Sequence, residues 1–314
     1  MRLGVLDVGS NTVHLLLVDA HHGAHPWPAH SEKAALRLAE QIRPNGALTK
    51  SGADALVAAA KDARASAARL KADDLLAFAT SAVRDATNSQ EVLQRVRDEA
   101  GVRLQVLSGA DEAKATFLAV RRWFGWSAGR LLVFDIGGGS LEIAAGIDET
   151  PDIAMSLPLG AGRLTRDRLG IDRDGKSPPR ASAVDDLQEY VDKALEPAVR
   201  KTAECDWDRP VATSKTFRTL ARLAGAAPSG AGFYIPRTLT RTGLRQVIGF
   251  IRHIAPLKLS EMEGVSGARA HQLLAGAIVA EATMRRVGVE SVDICPWALR
   301  EGVILRRLDQ LESA

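Results

Sequence analysis

Cysteine is scarce: Cys205 and Cys295 are the only two in 314 residues. Two cysteines do not make a disulfide framework, so a reduced, cytoplasmic setting is the expectation. No apolar run approaches the roughly 20 residues that a membrane-spanning helix needs. The N-terminus enters a strand carrying Asp7 at once and lacks the layout of a signal peptide. No membrane partner is expected. Aromatic residues make up only 4%. Trp123, Trp126, Trp207 and Trp297 read as too scattered for a stacking platform and are expected in core or interface positions. No basic run is interleaved with aromatics, which disfavours DNA as a partner. Two nucleotide-binding fingerprints are also missing, the Rossmann GxGxxG and the P-loop GxxxxGK(S/T). The remaining composition, 46% apolar and 25% charged, is ordinary for a globular chain. The net charge of +3 suits a polyanionic ligand without demanding one. The length is too great for one typical core, so two domains are expected.

The richest stretch is Asp135-Ile136-Gly137-Gly138-Gly139-Ser140-Leu141-Glu142. Apolar runs on either side make it strand, glycine turn, strand. Consecutive glycines let backbone N–H groups crowd towards one point, and such a row of amides is an anion nest. Two flanking carboxylates, Asp135 and Glu142, exceed what phosphate binding alone requires. Acids beside a phosphate nest suggest a divalent metal, a positioned water, or both. The N-terminus carries a second copy, Asp7-Val8-Gly9-Ser10-Asn11-Thr12, standing 128 positions earlier. Asp7 matches Asp135, Gly9 matches Gly137, and Thr12 matches Ser140. Two copies of one phosphate hairpin, one near the start of each half, imply a duplicated fold with a ligand between the halves. A break at Gly125–Gly129 sets the expected domains at 1–126 and 127–314, with the last helix a candidate to pack back on the first domain.

Strands alternate with helices in both halves, so the class is α/β. His21, His22, His25 and His30, with Pro26 and Pro28, read as a solvated hairpin loop rather than a metal cluster, since nothing completes a ligand set. An Ala-rich amphipathic helix is expected over 49–72. Asn88 with Glu91 has the spacing of a capping box. Asp172 to Pro179 reads as an exposed loop. One helix is expected over about 183–204, and a loop over the Gly- and Pro-rich 225–237. Pro296 stands where a first helical turn tolerates it, opening the last helix.

Glu112 falls in the first turn of a helix, where the dipole favours the ionised carboxylate. It can be a base that takes a proton from an attacking water, or a plain N-terminal helix charge. Asp111 beside it can take the capping role. Arg84 follows a strand and precedes a helix, within reach of a phosphate. Ser214 and Lys215, with Thr216 and Arg218, stand at a strand-to-helix turn whose free N–H groups would bind a second phosphate. Asp7 and Asp135 end the first strands of the two hairpins and would hold Mg²⁺ directly or through water, or else merely cap their turns. Several phosphate sites along one cleft suit a chain-like polyphosphate better than a lone phosphate ester.

Six pieces in this order resemble the exopolyphosphatase / guanosine pentaphosphate phosphohydrolase family over nearly the whole chain. They are Asp7 to Thr12, Ala79 to Arg84, Ser108 to Ala113, Asp135 to Glu142, Gly160 to Thr165 and Leu299 to Gly302. The resemblance implies two actin-like domains of the sugar kinase and Hsp70 superfamily, ribonuclease H-like in topology, with the active site in the interdomain cleft. It implies Glu112 as the general base, with Asp135 and Glu142 as the acids that hold magnesium, or manganese in its place, and position the attack. Gly9, Ser10, Asn11, Thr12, Arg84, Gly137, Gly138, Gly139 and Ser140 would cradle the terminal phosphate. The activity implied is release of orthophosphate from the end of inorganic polyphosphate. Family alternatives are a guanosine pentaphosphate 5′-phosphohydrolase and a non-catalytic sensor of guanosine penta- or tetraphosphate, and a kinase on the same superfamily fold is a further rival. A homodimer is a family expectation. Three departures stand out: Asp111 for a frequent Glu, His271 for a frequent Asp, and Ala298 for a frequent Gly. The chain as read ends after two domains, whereas longer members extend the polyphosphate channel, so short chains are the expected preference.

Overall fold

A computed structural model of the chain describes residues 1–21, 26–171 and 175–312. The chain divides into two units, Met1–Ala115 with Leu299–Ala314, and Thr116–Ala298. The sequence places a boundary at Gly125–Gly129; the units divide instead inside the helix that precedes it.

The first unit is built on β1 (Arg2–Val8), β2 (Thr12–Asp19) and β3 (Trp27–Ala35), followed by α1 (Lys50–Arg69), β4 (Asp74–Ala79), α2 (Ser81–Arg84), α3 (Ser89–Ala100) and β5 (Gln105–Val106). The sheet order is β3-β2-β1-β4-β5. The first three strands are antiparallel neighbours, whereas β4 runs parallel to β1 and β5 parallel to β4. β1 and β2 read as nearly unbroken apolar runs because both faces of the sheet are covered. Leu6, Val8, Val13, Leu15 and Leu17 face α1 and α3 residues such as Leu56, Ala60, Val92 and Val96. The alternate residues Leu3, Val5, Leu16 and Val18 pack with Ile304 and Leu308 of the last helix. Asp7 and His14 are paired in register between β1 and β2 and, by alternation, share that second face.

β3 is a strand the sequence does not announce. The expected histidine loop gives way to it at Trp27, so His30 is a strand residue, with Nε2 2.7 Å from a Glu32 carboxylate oxygen. Charged and polar side chains suit an edge strand, and this run therefore shows none of the apolar alternation that marks strands elsewhere. His22 and His25 lie outside the described residues. The expected capping box is also replaced. The Asn88 side chain makes no cap; it pairs instead with the backbone of Leu48, accepting from its N–H at 2.8 Å and donating to its carbonyl at 3.1 Å.

The second unit takes over within α4 (Gly109–Phe124) and continues through β6 (Leu131–Ile136), β7 (Leu141–Gly146), β8 (Ile153–Leu157) and α5 (Ala161–Leu164). Two helices, α6 (Ala181–Ala194) and α7 (Glu196–Thr202), stand where one is expected, because Pro197 cannot donate inside a continuous helix and sits instead at the start of the second. β9 (Arg209–Thr213), α8 (Ser214–Leu223), β10 (Thr238–Thr240), α9 (Arg241–Ile251), α10 (Pro256–Leu259), α11 (Leu273–Val287) and β11 (Ser291–Ile294) complete it. The order β10-β11-β9-β6-β7-β8 repeats the first unit's plan, with β6, β7 and β8 as the antiparallel set and β9 parallel to β6. The short edge strand β10 directly follows the expected 225–237 loop and is an addition to the plan. This is the duplicated two-unit α/β architecture that the twin hairpins imply. Arg121, only 1% exposed, ties the start of this unit together by donating to the carbonyls of Gly125, Gly129 and Gly146. Burial lowers its pKa. Two of the tryptophans expected to be scattered are gathered: Trp123 stacks on Tyr234 at 5.4 Å and contacts Phe233 and Trp297.

α12 (Leu299–Glu312) closes the first unit. Pro296 lies ahead of it, not in its first turn. Gly302 is the point of closest approach: a Cβ there would stand 1.8 Å from the Ala115 carbonyl oxygen and 2.5 Å from its carbon. Both are backbone atoms of α4 and cannot rotate away. Gly302→Ala is therefore expected to cost about 3 kcal/mol, the upper end of overpacking penalties, and to lower the unfolding midpoint in urea or heat. An unchanged midpoint would mean that this crossing is loose.

Candidate active site

The duplicated hairpin is a structural fact as well as a sequence pattern. Gly9 N–H donates to Thr12 O at 3.0 Å, and Gly137 N–H donates to Ser140 O at 2.9 Å. Each hairpin thus closes on a two-residue loop, Ser10-Asn11 in one and Gly138-Gly139 in the other. In each, the chain that follows takes the loop carbonyls. Ser10 O accepts from Ala39 N–H, and Asn11 O from Leu36 and Arg37 N–H. Gly137 O accepts from Ala161 N–H, Gly138 O from Arg163 N–H, and Gly139 O from Arg163 Nε. The loop carbonyls are thus satisfied within each unit, and the amides of such a tight loop are the groups that suit an anion.

None of Gly137, Gly138 or Gly139 takes a positive φ. What glycine supplies here is room rather than an unusual turn. A Cβ at Gly137 would meet only Ser140 O at 3.5 Å, and one at Gly9 only Thr12 O at 3.4 Å and an Asp7 oxygen at 3.9 Å. Gly160 is different: its Cβ would stand 2.2–2.4 Å from the backbone of Gly139 and Ser140.

In the second unit Asp135 and Glu142 are direct cross-strand partners on β6 and β7, so both carboxylates rise from one face of the hairpin. Glu142 is 6% exposed and accepts from Ser156 Oγ of β8 at 2.8 Å. Among the described residues no group of three or more His, Cys, Asp or Glu side chains is placed to hold a metal ion. Mg²⁺ does not need one, since it is commonly bound by one or two carboxylates with water and substrate phosphates completing the shell. The Asp135–Glu142 pair fits that pattern. Beside it, Thr213 of β9 pairs in register with Asp135 and donates through Oγ1 to Trp297 O at 2.7 Å. Ser214 follows with φ 85°, a strained value for a non-glycine residue and a frequent mark of functional turns. Thr216 Oγ1 donates to Ile136 O at 3.0 Å, which pins the first turn of α8 to the end of β6. Lys215 is exposed on that turn. A small cleft runs from Lys215 past Thr216 and Ser266 to Arg269.

In the first unit the Ser10 hydroxyl meets the Ser81 hydroxyl at 3.0 Å, linking the hairpin to the one-turn helix α2. Arg84 ends that helix and forms an ion pair with Glu112 through Nη1 and Oε1. The same guanidinium reaches Leu107 O at 3.2 Å and an Asp85 carboxylate oxygen at 3.0 Å. Glu112 is 6% exposed. Ser108, not Asp111, caps α4: its Oγ accepts from Asp111 N–H at 3.1 Å and donates to the Asp111 carboxylate at 2.7 Å. Asp7 faces Arg300 of α12, with Nε 3.7 Å from Oδ2.

The profile of the Ppx/GppA phosphatase family matches residues 17–311. The chain belongs to that family. This Ppx/GppA chain is 59% identical over 310 residues to Exopolyphosphatase 1 of Mycobacterium tuberculosis, a match that covers 98% of this chain and 89% of that one. The crystal structure of an exopolyphosphatase from Cytophaga hutchinsonii is alike over 99% of this chain and 98% of that one, with a TM-score of 0.87 at 24% identity. The Ppx/GppA family member of Aquifex aeolicus aligns over 100% of this chain and 99% of that one, with a TM-score of 0.81 at 23% identity. At those identities the structural likeness speaks for the fold.

Sequence reasoning about this Ppx/GppA chain passes over two side chains that the fold brings beside Asp7. His14 is 7% exposed, accepts or donates at Ser31 Oγ through Nε2 at 2.8 Å, and lies against the Arg300 guanidinium. The available signal is that His14 is the one polar residue in the apolar run Val13 to Val18. Arg300 stands in a recognised motif, but only the fold shows what it touches.

Proposed function

We propose that this chain is an exopolyphosphatase that releases orthophosphate from the end of inorganic polyphosphate with a divalent metal, magnesium or manganese. The carrying observation is the acid pair Asp135 and Glu142, cross-strand partners on one face of a glycine hairpin whose loop carbonyls are bonded within the unit. Identity of 59% to a protein named Exopolyphosphatase 1 supports the same substrate class. Asp135 and Glu142 hold the metal; Asp7 is the matching acid of the first unit's hairpin and is ion-paired to Arg300. When bound, the metal supplies positive charge against the phosphate oxygens.

Gly9, Ser10, Asn11 and Thr12 in the first unit, and Gly137, Gly138, Gly139 and Ser140 in the second, each offer backbone amides and hydroxyls to a phosphate. Arg84 adds a charge-assisted contact. Ser214 and Lys215, at the start of α8, take a phosphate further along the chain. Glu112 accepts a proton from a water as its oxygen attacks the terminal phosphorus. The phosphoanhydride bond breaks, and the electron pair leaves with the shortened chain. Water is consumed and orthophosphate released, with no other co-reactant. Amide donors fixed before the reaction stabilise the charge that develops.

Orthophosphate release from polyphosphate, with guanosine pentaphosphate offered in a parallel reaction, tests this reading. Faster release from polyphosphate supports it; release from the guanosine compound alone makes the chain a pentaphosphate phosphohydrolase, and turnover of neither makes it a sensor. Chelation with EDTA is expected to reduce release to background, and added Mg²⁺ to restore it. Undiminished release in EDTA would remove the metal from the account.

A further inference from the structure

The candidate base and the candidate phosphate-binding arginine hold each other. Arg84 Nη1 sits on Glu112 Oε1, one of the two oxygens that could take a water proton. A carboxylate that is 6% exposed and ion-paired has little open surface left for a nucleophilic water. Arg84 is not committed to this partner alone: Nη1 also reaches Leu107 O at 3.2 Å, and Nε donates to the Asp85 carboxylate at 3.0 Å. These keep the guanidinium at the site if it leaves Glu112. Arg84 also stands one helical turn from Ser81, whose hydroxyl meets Ser10 in the loop of the first hairpin. A phosphate bound at that hairpin lies beside the element that carries Arg84. A phosphate oxygen and the Glu112 carboxylate are alternative acceptors for one fork of donors.

We propose that Arg84 is a switch: in the resting protein it masks Glu112, and the terminal phosphate draws the guanidinium away and unmasks the base. This rests on the reading of Glu112 as the base and adds that base activation is coupled to occupancy of the phosphate site. The coupling has a cost in affinity. If the masked state is about nine-tenths of the resting population, the apparent Kd for a phosphate ligand is raised about tenfold. Weakening the mask returns that factor.

The test is a binding cycle with a non-hydrolysable imido analogue of tripolyphosphate, followed by calorimetry in the presence of Mg²⁺. Glu112→Gln is expected to bind it about tenfold more tightly than wild type. In an Arg84→Ala background the same substitution is expected to change Kd by less than about twofold, because no guanidinium remains to release. Arg84→Gln serves as the second background should Arg84→Ala fail to fold. An equal gain in both backgrounds would mean that Glu112 merely repels the anion through space, and would overturn the switch. No gain in either background would overturn it too. Orthophosphate release by the same wild-type preparation reports separately on the hydrolase reading. An Arg84-dependent gain without turnover would keep the exchange of Arg84 between Glu112 and phosphate but overturn its role in unmasking a base; turnover with an Arg84-independent gain would keep the hydrolase and overturn the switch.

Discussion

Gly160→Ala will fold and will release orthophosphate from polyphosphate about 100-fold more slowly than wild type, the loss expected when reacting groups are misplaced by about an ångström. The added Cβ would stand 2.2 Å from Gly139 C, 2.3 Å from Ser140 N and 2.4 Å from Gly139 N. All three are backbone atoms, so no side chain can swing aside. Either the Gly137–Ser140 loop or the segment after β8 must move. That segment is bonded to the loop at three carbonyls, Gly137 O, Gly138 O and Gly139 O, so the displacement passes directly to the loop amides. The measurement is kcat/KM for phosphate release beside a melting curve. Activity within a few-fold of wild type, with an unchanged melting point, would mean that the loop amides are not where the phosphate binds.

Glu112→Gln is expected to lower kcat by about 1,000-fold, within the range that a positioned general base contributes. The substitution keeps shape and hydrogen-bonding capacity while removing the ability to take a proton. Glu112 stands in the first turn of α4, where the helix dipole favours an anion. Its N–H is already used by Ser108 O at 2.9 Å, so the backbone around it is fixed independently of the side chain. A variant that binds the substrate and does not turn it over separates base chemistry from binding. Full activity would remove Glu112 from the mechanism.

The parts of the site that the sequence makes legible are those made by near neighbours. Asp135 and Glu142 flank one turn, and a two-residue loop fixes them opposite each other. The twin hairpin is legible because the same closing bond, Gly9 to Thr12 and Gly137 to Ser140, constrains both copies to one pattern. Contacts made only by packing are not legible. Arg84 and Glu112 are 28 residues apart, and Arg300 and His14 are 286 apart; no local pattern pairs them. In the fold, long amphipathic helices such as α1 are plain, whereas β3 and β10 are edge strands with few apolar residues, and their periodicity is correspondingly weak. Asn88 shows how a correct local signal can lose to a tertiary one. Its side chain has two partners at Leu48, and these outweigh a cap on its own helix.

The most direct test of the central claim is hydrolysis of polyphosphate in water enriched in oxygen-18, with the products separated and weighed by mass spectrometry. Water attack at the terminal phosphorus predicts one labelled oxygen in each orthophosphate released and none in the shortened chain. Label in the remaining chain, or unlabelled phosphate passed to another acceptor, would contradict it.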